Sequence, residues 1–452
     1  MTEPNKMIRT KKTTAPSNAP KTIPTVPEAE QPYKVPENWR WVRLGEIYVI
    51  NPPVEGDDSM DVSFVPMEKV NPGMCSDFTF DILPWKQAKK GHTRFANGDI
   101  AFAKISPCFE NRKAFIATGL LNGIGGGTTE LIILRHPKIL QKYTYYSIMA
   151  DRFINGGVQT YSGTVGQQRI SMDYVRNYPF PLPPLAEQQR IVDRIEHLFA
   201  KLDEAREKAQ AVVDGFENRK AAILHQAFTG ELTRKWREER GIGMEGWKTV
   251  ALEDVCHSIF DGDHMPPPKS ENGIPFLVIS NVNDGYLSYD NTRFVPLDYY
   301  ESLSETRKPK RGDLLYTLVG SYGIPVVVDN ERPFCFQRHI ALLKPSNVNT
   351  YFLWYQMQTK EIYEKASAIA TGTAQLTVPI KGLRKITILL PERSEQMEIS
   401  NLLNSLLSQE RRARDLAESV IAQIDGMKKA ILARAFRGEL GTNDPSEAAC
   451  EV

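Results

Sequence analysis

KAAILHQAFTGEL at residues 220–232 recurs as KKAILARAFRGEL at residues 428–440, and 9 of the 13 positions are identical. The two copies lie 208 residues apart, and the same spacing relates Glu187-Gln188 to Glu395-Gln396. A single spacing that holds at several places along the chain is the sign of an internal repeat. The chain is therefore predicted to consist of two copies of one unit, each a globular domain followed by a long helix. Because the globular parts match only loosely, they are expected to carry two different recognition surfaces; a duplicated domain that has simply drifted is the alternative.

The composition is that of an ordinary globular protein with nearly balanced charge. The 452 residues are 41% hydrophobic and 25% charged, and the net charge is +1. No apolar run approaches the roughly 20 residues of a membrane-spanning helix. The five cysteines are scattered singly, which is typical of the reducing cytoplasm. We therefore expect a cytoplasmic protein without a membrane partner. A net charge near zero is neutral towards a nucleic-acid partner, because basic patches can be local.

A helical pattern begins directly after Pro183-Pro184 and carries apolar residues at alternating spacings of four and three. Its stripe is Ile191, Ile195, Leu198, Leu202, Ala205, Ala209, Val212 and Phe216. The second copy repeats this stripe as Ile399, Leu403, Leu406, Glu410, Ala413, Ala417, Val420 and Ile424, in which Glu410 is the charged exception. Such a stripe is typical of a coiled coil, and the simplest partner of each helix is the other copy. Helices of this length span about 40 Å, close to one turn of DNA; ordinary bundle helices without a spacing role are the alternative.

Glycines divide each helical region into a long and a short helix. Asp214-Gly215 predicts a break before a shorter helix that ends at Gly230, and Asp425-Gly426 predicts the same before Gly438. The basic residues of the short helices are expected on a solvated face: Arg219, Lys220, Lys428 and Lys429.

The globular parts show short strands and helices in the same order in both copies. DIAFAKI (99–105) and TELIILR (129–135) are predicted strands, and residues 140–155 are a predicted helix. The second copy repeats this order with DLLYTLV (313–319), HIALLKP (339–345) and a helix near 349–366. Each copy is therefore predicted to hold a compact mixed α/β domain.

Two kinds of loop carry side chains that suit DNA, namely donors for phosphates and amides or guanidinium groups for base edges. The first follows a predicted strand and offers Lys104, Ser106, Asn111, Arg112 and Lys113. The second is SGTVGQQR, with Ser162, Gly163, Thr164, Gln167, Gln168 and Arg169, and its counterpart TGTAQLT offers Gly372, Thr373 and Gln375. Glycine lets a backbone approach a phosphate closely, and glutamine suits adenine in the major groove. A solvated hairpin without a ligand remains the alternative for each loop.

Motifs of catalysis are weak in this sequence. Asn51-Pro52-Pro53-Val54 is similar to the N-P-P-aromatic motif of amino-group DNA methyltransferases, but valine stands in place of the aromatic residue and no cofactor domain precedes it. The glycines at 123–127 are interpreted as a turn, since no helix pattern follows to cradle a phosphate. His257 and His264 flank Asp261 and Asp263, and a polar loop explains them better than a metal site. No catalytic or metal-binding residue is predicted.

The helical motifs resemble the specificity subunits of type I restriction–modification systems. PLPPLAEQQRIVDRIEHLFAKLDEA (181–205), AFTGELTRKW (227–236) and LLPERSEQMEISNLL (389–403) are similar to the conserved regions of that family. FAKISPCFENRK (102–113) and GTAQLTVP (372–379) are similar to segments of its target recognition domains. The resemblance covers nearly the whole chain beyond the first 34 residues.

This resemblance implies a fold and a set of partners. The fold class is mixed α/β, with two target recognition domains joined by two long antiparallel helices in a coiled coil and an internal pseudo-two-fold repeat. Each domain would recognise one half of a split, asymmetric site in double-stranded DNA. The implied partners are two modification subunits, which bind S-adenosylmethionine and methylate adenine, and restriction subunits that use ATP and Mg. The chain itself would need no cofactor.

The resulting domain boundaries follow the motifs and the composition. They are a disordered tail (1–34), target recognition domain 1 (35–183), a central helical region (184–236), target recognition domain 2 (245–391), a C-terminal helical region (392–440) and a second disordered tail (441–452). Two other classes of function stay open at this point. One is an enzyme whose catalytic site escapes recognition, and the other is a scaffold that joins proteins through its coiled coil without contacting DNA.

Overall fold

The structure is a computed structural model that describes residues 24–136, 138–262, 267–282 and 285–450. Its internal packing divides the chain into two units. Unit 1 combines the residues up to Glu207 with those from Ile421 onward, and unit 2 is Lys208–Val420. The units are therefore not simple successive copies. Each globular domain packs with the start of its own long helix and with the last part of the helical region that belongs to the other copy.

Unit 1 is built from short strands and helices. Its strands are β1 (Arg40–Arg43), β2 (Val49–Ile50), β3 (Asp61–Val65), β4 (Asp81–Pro84), β5 (Thr93–Ala96), β6 (Ile100–Ala103), β7 (Ala114–Ile116), β8 (Ile124–Gly127), β9 (Leu131–Arg135) and β10 (Pro179–Leu182). Its helices are α1 (Leu44–Ile47), α2 (Trp85–Ala88), α3 (Gln141–Met149), α4 (Asp151–Val158), α5 (Met172–Asn177) and most of α6 (Leu185–Asp214), with 3-10 turns at Glu28–Glu30, Met67–Lys69 and Leu121–Gly123.

Unit 2 contains the corresponding elements. Its helices are α7 (Phe216–Phe228), α8 (Arg234–Glu238), α9 (Leu252–Val255), α10 (Leu297–Ser302), α11 (Thr350–Gln356), α12 (Lys360–Ile369), α13 (Ile380–Arg384) and most of α14 (Arg393–Ala435), with 3-10 turns at Ile279–Asn281 and Glu305–Arg307. Its strands are β11 (Lys248–Ala251), β12 (Cys256–Asp261), β13 (Ile274–Leu277), β14 (Arg293–Val295), β15 (Leu314–Thr317), β16 (Pro325–Val327), β17 (Cys335–Phe336), β18 (Ile340–Pro345) and β19 (Thr387–Leu390).

The sheets of the two units share most of their topology, although one sheet of unit 2 has a strand fewer than its counterpart in unit 1. In unit 1 the orders are β1-β10, β2-β9-β6-β7 and β4-β3-β8-β5, and in unit 2 they are β11-β19, β12-β18-β15-β16 and β14-β13-β17. The parallel pair β3·β8 corresponds to the parallel pair β13·β17. Strands β6, β9, β15 and β18 carry the predicted apolar runs, and their buried residues explain why these runs form central strands. The predicted mixed α/β fold with an internal repeat is confirmed.

Each unit has a core that includes parts of both helical regions. In unit 1, Ile191 and Ile195 of α6 pack in the same cluster as Leu432 and Phe436 from the C-terminal region. In unit 2, Leu224 and Phe228 of α7 join Ile399, Leu403 and Leu407 of α14. Burial of a leucine, isoleucine or phenylalanine contributes about 1.5–3 kcal/mol. The core of each globular domain is therefore completed by helices from two distant parts of the chain.

The two helical regions run antiparallel within each unit. In unit 1, Lys428 Nζ lies 2.5 Å from Asp203 Oδ1, and Arg206 forms an ion pair with Asp425. In unit 2, Arg219 Nε donates to Glu410 Oε2 at 2.7 Å, and the Arg414 guanidinium lies over the ring of Phe216. Residue numbers rise along one helix of each pair while they fall along the other. This arrangement is the antiparallel coiled coil that the resemblance implies.

The buried stripe of α14 differs from the predicted one at three of its eight positions. Leu403, Ala417 and Ile424 are buried, as the heptad pattern predicts, but Ala413 and Val420 are exposed and Leu406 is half-buried. The stripe instead continues through Leu407, Arg414 and Ile421. Arg414 occupies a stripe position because its guanidinium lies 4.7 Å from the ring centroid of Phe216. The heptad pattern passes over this arginine in favour of the neighbouring alanine.

On α6 the predicted stripe lies on the packed side of the helix. Ile191 and Ile195 are buried, as is Phe216 at the start of α7, and the remaining members are half-buried: Leu198, Leu202, Ala205, Ala209 and Val212. Phe199, which the heptad pattern leaves out, is 6% exposed and packs edge-on against Tyr146 with ring centroids 5.7 Å apart. Phe199 corresponds to Leu407 in the second copy, so both helices bury the residue next to the predicted leucine.

Helix α14 has no break at Asp425-Gly426, so the predicted short helix there is wrong. A single helix runs from Arg393 to Ala435. Glycine costs a helix about 1 kcal/mol relative to alanine, and the ion pairs of Asp425 and Lys428 hold the helix on both sides of it. The expectation that Arg219 and Lys428 face solvent is also wrong, because both side chains pair across the helices.

Both predicted tails are packed where the structure describes them. Val26 is 2% exposed and its N–H donates to Trp41 O at 2.8 Å, while Tyr33 Oη donates to Phe436 O at 2.9 Å. In the second tail, Thr442 contacts Glu187. The prediction of disorder is therefore wrong for residues 24–34 and 441–450, since polar composition hid their contacts with the core. Residues 1–23 and 451–452 lie outside the described residues.

Candidate nucleic-acid interface

The first predicted DNA loop of unit 1 leaves the end of β6 and returns into β7. Lys104 and Ser106 are half-buried, and Asn111 is exposed. The backbone N–H of Lys104 donates to Glu130 O at 2.8 Å, and that of Asn111 donates to Pro107 O at 3.0 Å. The first bond holds the loop against the turn that precedes β9, and the second closes the loop on itself. Asn111 is thus presented to solvent from a fixed backbone.

Arg112 and Lys113 of this loop are engaged inside the unit. Arg112 Nε donates to Met149 O at 3.0 Å, and its guanidinium pairs with Asp151 at the start of α4. Lys113 Nζ donates to Met67 O at 2.8 Å. Only 12% of the Arg112 side chain is exposed. The structure therefore gives these two cations internal partners that fix the loop on the domain.

The second predicted loop of unit 1 is a hairpin, residues 162–169, called hairpin 1 here. Ser162 and Arg169 exchange backbone hydrogen bonds of 3.1 and 2.9 Å at its base. Gly163 has a φ of +112° and Gly166 a φ of +85°, values that favour glycine and close the turn. The tip is open to solvent: Ser162, Gly163, Thr164, Val165, Gly166 and Gln167 are exposed, and Gln168 is half-buried.

The structure brings these two predicted loops together. Ser106 N–H donates to Gln168 O at 2.8 Å, and Ile170 N–H donates to Lys104 O at 3.0 Å. Arg169 adds a bidentate pair with Glu130, with Nε–Oε2 and Nη2–Oε1 distances of 2.9 and 2.7 Å. The hydrogen bonds from Arg169 lower the pKa of the Glu130 carboxyl below its ordinary value. Glu130 therefore stays ionised at neutral pH and fastens hairpin 1 to the domain.

Unit 2 repeats this arrangement with residues 371–377, called hairpin 2. Thr371 and Thr377 exchange backbone hydrogen bonds of 2.9 and 2.8 Å, and Gly372 has a φ of +111°, matching that of Gly163. Thr373 and Gln375 are exposed, as is Gly372. Hairpin 2 thus has the same backbone hydrogen bonds as hairpin 1, with one residue fewer between the two residues that pair at its base.

Hairpin 2 packs against a loop that the sequence interpretation missed, residues 318–323. Gly320 N–H donates to Leu376 O at 3.1 Å, and Val378 N–H donates to Leu318 O at 2.8 Å. These bonds are equivalent to those that Ser106 and Ile170 make in unit 1. The similarity of Gly312-Asp313-Leu314 to Gly98-Asp99-Ile100, 214 residues apart, could have located this loop. The side chains of this loop gave no sign of DNA contact, because Leu-Val-Gly stands where the first loop has Lys-Ile-Ser.

The two interfaces differ in the groups that they expose. Hairpin 1 carries Arg169 at its base, where hairpin 2 carries Thr377. The loop beside hairpin 1 exposes Asn111, and the loop beside hairpin 2 exposes Ser321. One frame therefore presents two different sets of hydrogen-bonding groups.

A second set of polar residues joins each domain to its helices. Gln188 Oε1 accepts from Leu140 N at 3.0 Å and its Nε2 donates to Pro183 O at 3.0 Å. Gln396 does the same with Asn349 N and Pro391 O, both at 2.8 Å. The repeated glutamine thus ties the start of each long helix to the first turn of a domain helix.

The repeated glutamate accepts hydrogen bonds from residues at or just after the end of the other helical region. Glu187 is fully buried and accepts from Thr442 Oγ1 and Asn443 N, both at 3.1 Å. Glu395 is 3% exposed and accepts from Thr233 Oγ1 at 2.7 Å and Arg237 Nη1 at 2.6 Å. Buried carboxylates need such donors, because an unpaired charge in the core is costly. The Glu-Gln repeat is therefore explained by the assembly of each unit.

The motifs for which the sequence predicted no catalytic or metal-binding role either have structural roles or lie outside the described residues. Asn51 extends the β2·β9 ladder, since its N–H donates to Ile133 O and its Oδ1 accepts from Ile133 N, both at 2.9 Å. Residues 124–127 form strand β8 rather than the predicted turn. Its glycines allow close packing, since a Cβ on Gly126 would lie 2.3 Å from Ala88 O. Asp263 and His264 lie outside the described residues. Elsewhere in the described chain, no cluster of three potential metal ligands is found.

None of the described helices combines the length and apolarity that crossing a membrane requires.

Comparison with known proteins gives a consistent result. Residues 36–212 and 244–415 match the family described as "Type I restriction modification DNA specificity domain". The type I restriction enzyme EcoAI specificity subunit of Escherichia coli is 39% identical over 207 residues, which are 45% of this chain and 35% of that protein. The EcoEI specificity subunit of Escherichia coli is 37% identical over 218 residues, which are 47% of this chain and 37% of that protein. The matches thus span little more than a third of these relatives.

Solved structures share the fold. The HsdS subunit from Thermoanaerobacter tengcongensis superposes with a TM-score of 0.68 over 91% of this chain and 100% of that one, at 23% identity. A chain from a study of complex assembly and conformational transition of the type I R-M system gives a TM-score of 0.67 over 90% of this chain and 100% of that one, at 22% identity.

Proposed function

Because the chain belongs to the family of type I restriction modification DNA specificity domains, we propose that it recognises a split DNA sequence and has no catalytic activity of its own. Each unit would recognise one half-site. The observation that carries this proposal is the pair of equivalent hairpins, which share the backbone hydrogen bonds at their base and differ in length and in part of their side chains. Two different recognition surfaces on the same fold suit an asymmetric site, whereas identical surfaces would suit a palindrome.

The exposed groups of the hairpins suit contact with bases and phosphates. Gln167 and Gln375 offer the carboxamide that pairs with the major-groove edge of adenine. The threonines Thr164 and Thr373 offer hydroxyls, and the glycines allow close approach of backbone N–H groups to phosphates. Arg112 and Lys113 would act indirectly, by fixing the first loop. Lys104, Ser106 and Asn111 remain the proposed direct contacts of that loop.

The partners follow from the same proposal. Two modification subunits would dock on the helical regions, bind S-adenosylmethionine and methylate adenine in each half-site. Restriction subunits would add ATP- and Mg-dependent cleavage. The antiparallel helices support this proposal, because each unit offers them in the same local arrangement. The complex would act in the cytoplasm, where it meets the DNA.

The deciding experiment is co-expression of the chain with its modification subunit, followed by mapping of methylated adenines across the host genome. A split, asymmetric motif with a fixed gap is expected, and only when this chain is present. The modification subunit alone is the control. An assembled complex that adds no methylation would favour a protein scaffold, and methyl transfer by the purified chain alone would favour an enzyme.

A further inference from the structure

The tip of hairpin 1 presents an apolar side chain to solvent. Val165 is 95% exposed and stands between Gly163 and Gly166, whose positive φ values shape the turn around it. The Gly-Thr pair that precedes Val165 recurs in hairpin 2, where Ala374 takes the equivalent place. Single exposed apolar residues are common on surfaces. This one is different because it lies at the tip of a loop proposed to contact DNA.

The charged group of hairpin 1 is already occupied. Arg169 donates to both carboxylate oxygens of Glu130 and, through Nη1, to Gln167 O at 3.1 Å. Its guanidinium therefore stabilises the base of the hairpin. Thr164, Val165 and Gln167 are left as the side chains that extend from the tip.

We infer that Val165 packs against the 5-methyl group of a thymine in the major groove, an inference that rests on the proposed DNA recognition. The major groove is wide enough for a two-stranded ribbon and therefore for the tip of this hairpin, and the thymine methyl is the apolar group that it displays. The side chains that wedge between base pairs are mostly longer or bulkier, as in phenylalanine, leucine and methionine. Valine is too short for that role but long enough to cover one methyl group. Ala374 covers less, so unit 2 gains less from a thymine at the equivalent position.

The test removes one methyl group from the DNA at a time. The complex with the modification subunit is titrated with duplexes of its mapped motif in which each thymine in turn is replaced by uracil. One buried methyl group corresponds to about a fourfold change in affinity. We expect about a fourfold loss for uracil at one position of a single half-site. Val165→Ala should lower affinity for the thymine duplex by a similar factor and reduce the preference for thymine over uracil at that position towards one.

A matched control separates this effect from others. Val49→Ala makes the same change at an exposed valine on β2, 57% exposed and beside Arg135 at the far end of β9, and it should keep the full preference for thymine. Val165→Ala is compatible with the fold, because alanine stands at that place in hairpin 2.

Two outcomes would overturn the inference. One is a complex that binds its mapped motif equally well with uracil at every position. The other is a Val165→Ala complex that keeps the full preference for thymine; if its affinity for thymine and uracil duplexes falls equally, the loss indicates a wedge or a backbone contact. Both outcomes leave the proposed function intact, whereas a complex that binds no defined sequence would contradict the proposed function itself.

Discussion

At the scale of single residues, Gln167 and Gln375 occupy equivalent exposed positions on the two hairpins. We predict that Gln167→Ala relaxes recognition at one position of one half-site and that Gln375→Ala does so in the other half-site. Loss of a base contact costs about 1–3 kcal/mol at that position, because the amide no longer pairs with the base edge. Methylation of randomised half-sites by each variant complex measures the effect, and each variant is the control for the other.

If both glutamine variants relax the same half-site, the assignment of one half-site to each unit is contradicted. A uniform loss across all sequences, with a smaller salt dependence, would indicate phosphate contacts instead.

Arg112 should act through the position of its loop. We predict that Arg112→Ala and Asp151→Ala weaken binding in the same half-site, because each breaks the ion pair that fixes the loop to α4. Affinity for a panel of half-site variants measures this, with Arg176→Ala on the neighbouring helix α5 as an exposed control. A loss for Arg112→Ala with no loss for Asp151→Ala would show instead that the arginine contacts DNA itself.

At the scale of elements, the register of α14 gives a prediction from neighbouring leucines. Leu407 is 2% exposed and Leu406 is half-buried. Leu407→Ala should lower the free energy of unfolding by about 2–5 kcal/mol, because it leaves a cavity in the core. Leu406→Ala should cost about 1 kcal/mol. Chemical denaturation of both variants measures the difference. A larger loss for Leu406→Ala than for Leu407→Ala would show that the register predicted from the sequence is correct.

Charged stripe residues limited what the sequence could predict about these elements. The strands were predictable because β6, β9, β15 and β18 are continuous apolar runs. The start of α6 after Pro183-Pro184 was predictable too, since proline ends the preceding strand. The register of α14 was not, because a pattern of apolar residues treats Arg414 as exposed. Its guanidinium instead lies over the ring of Phe216.

The sequence could predict the separate loops of the candidate site, but it could not predict that the fold brings these loops together. Glycine, glutamine and arginine in SGTVGQQR indicated hairpin 1, but the partner of Arg169 is Glu130, which lies 39 residues earlier. Such pairing depends on the tertiary fold. The loop at 318–323 carries no charged residue, so chemistry alone could not indicate it.

At the scale of the whole molecule, each unit depends on a helical region from the other copy. Arg237 and Glu395 form the buried ion pair that fastens the central region to the start of α14, with side chains 8% and 5% exposed. We predict that Arg237→Met destabilises unit 2 by about 3–5 kcal/mol, because it leaves the Glu395 carboxylate buried with fewer donors. Hydrogen exchange of unit 2 amides under native conditions measures this loss.

Arg240→Met is the matched control for this pair. Arg240 is 49% exposed and lies 3.9 Å from Glu239, so its replacement should cost less than about 1 kcal/mol. Equal effects of the two variants would contradict a structural role for the buried pair.

The division of unit 1 into two stretches of chain has a consequence for biosynthesis. Its core includes Leu432, Ala435 and Phe436, which a ribosome adds only after all of unit 2 has been made. Unit 2, in contrast, is one continuous stretch, Lys208–Val420. The domain that is translated first is therefore completed last. Until then the apolar faces of α3 and α6 stay exposed on the nascent chain. Such exposed core surface favours aggregation or binding by chaperones.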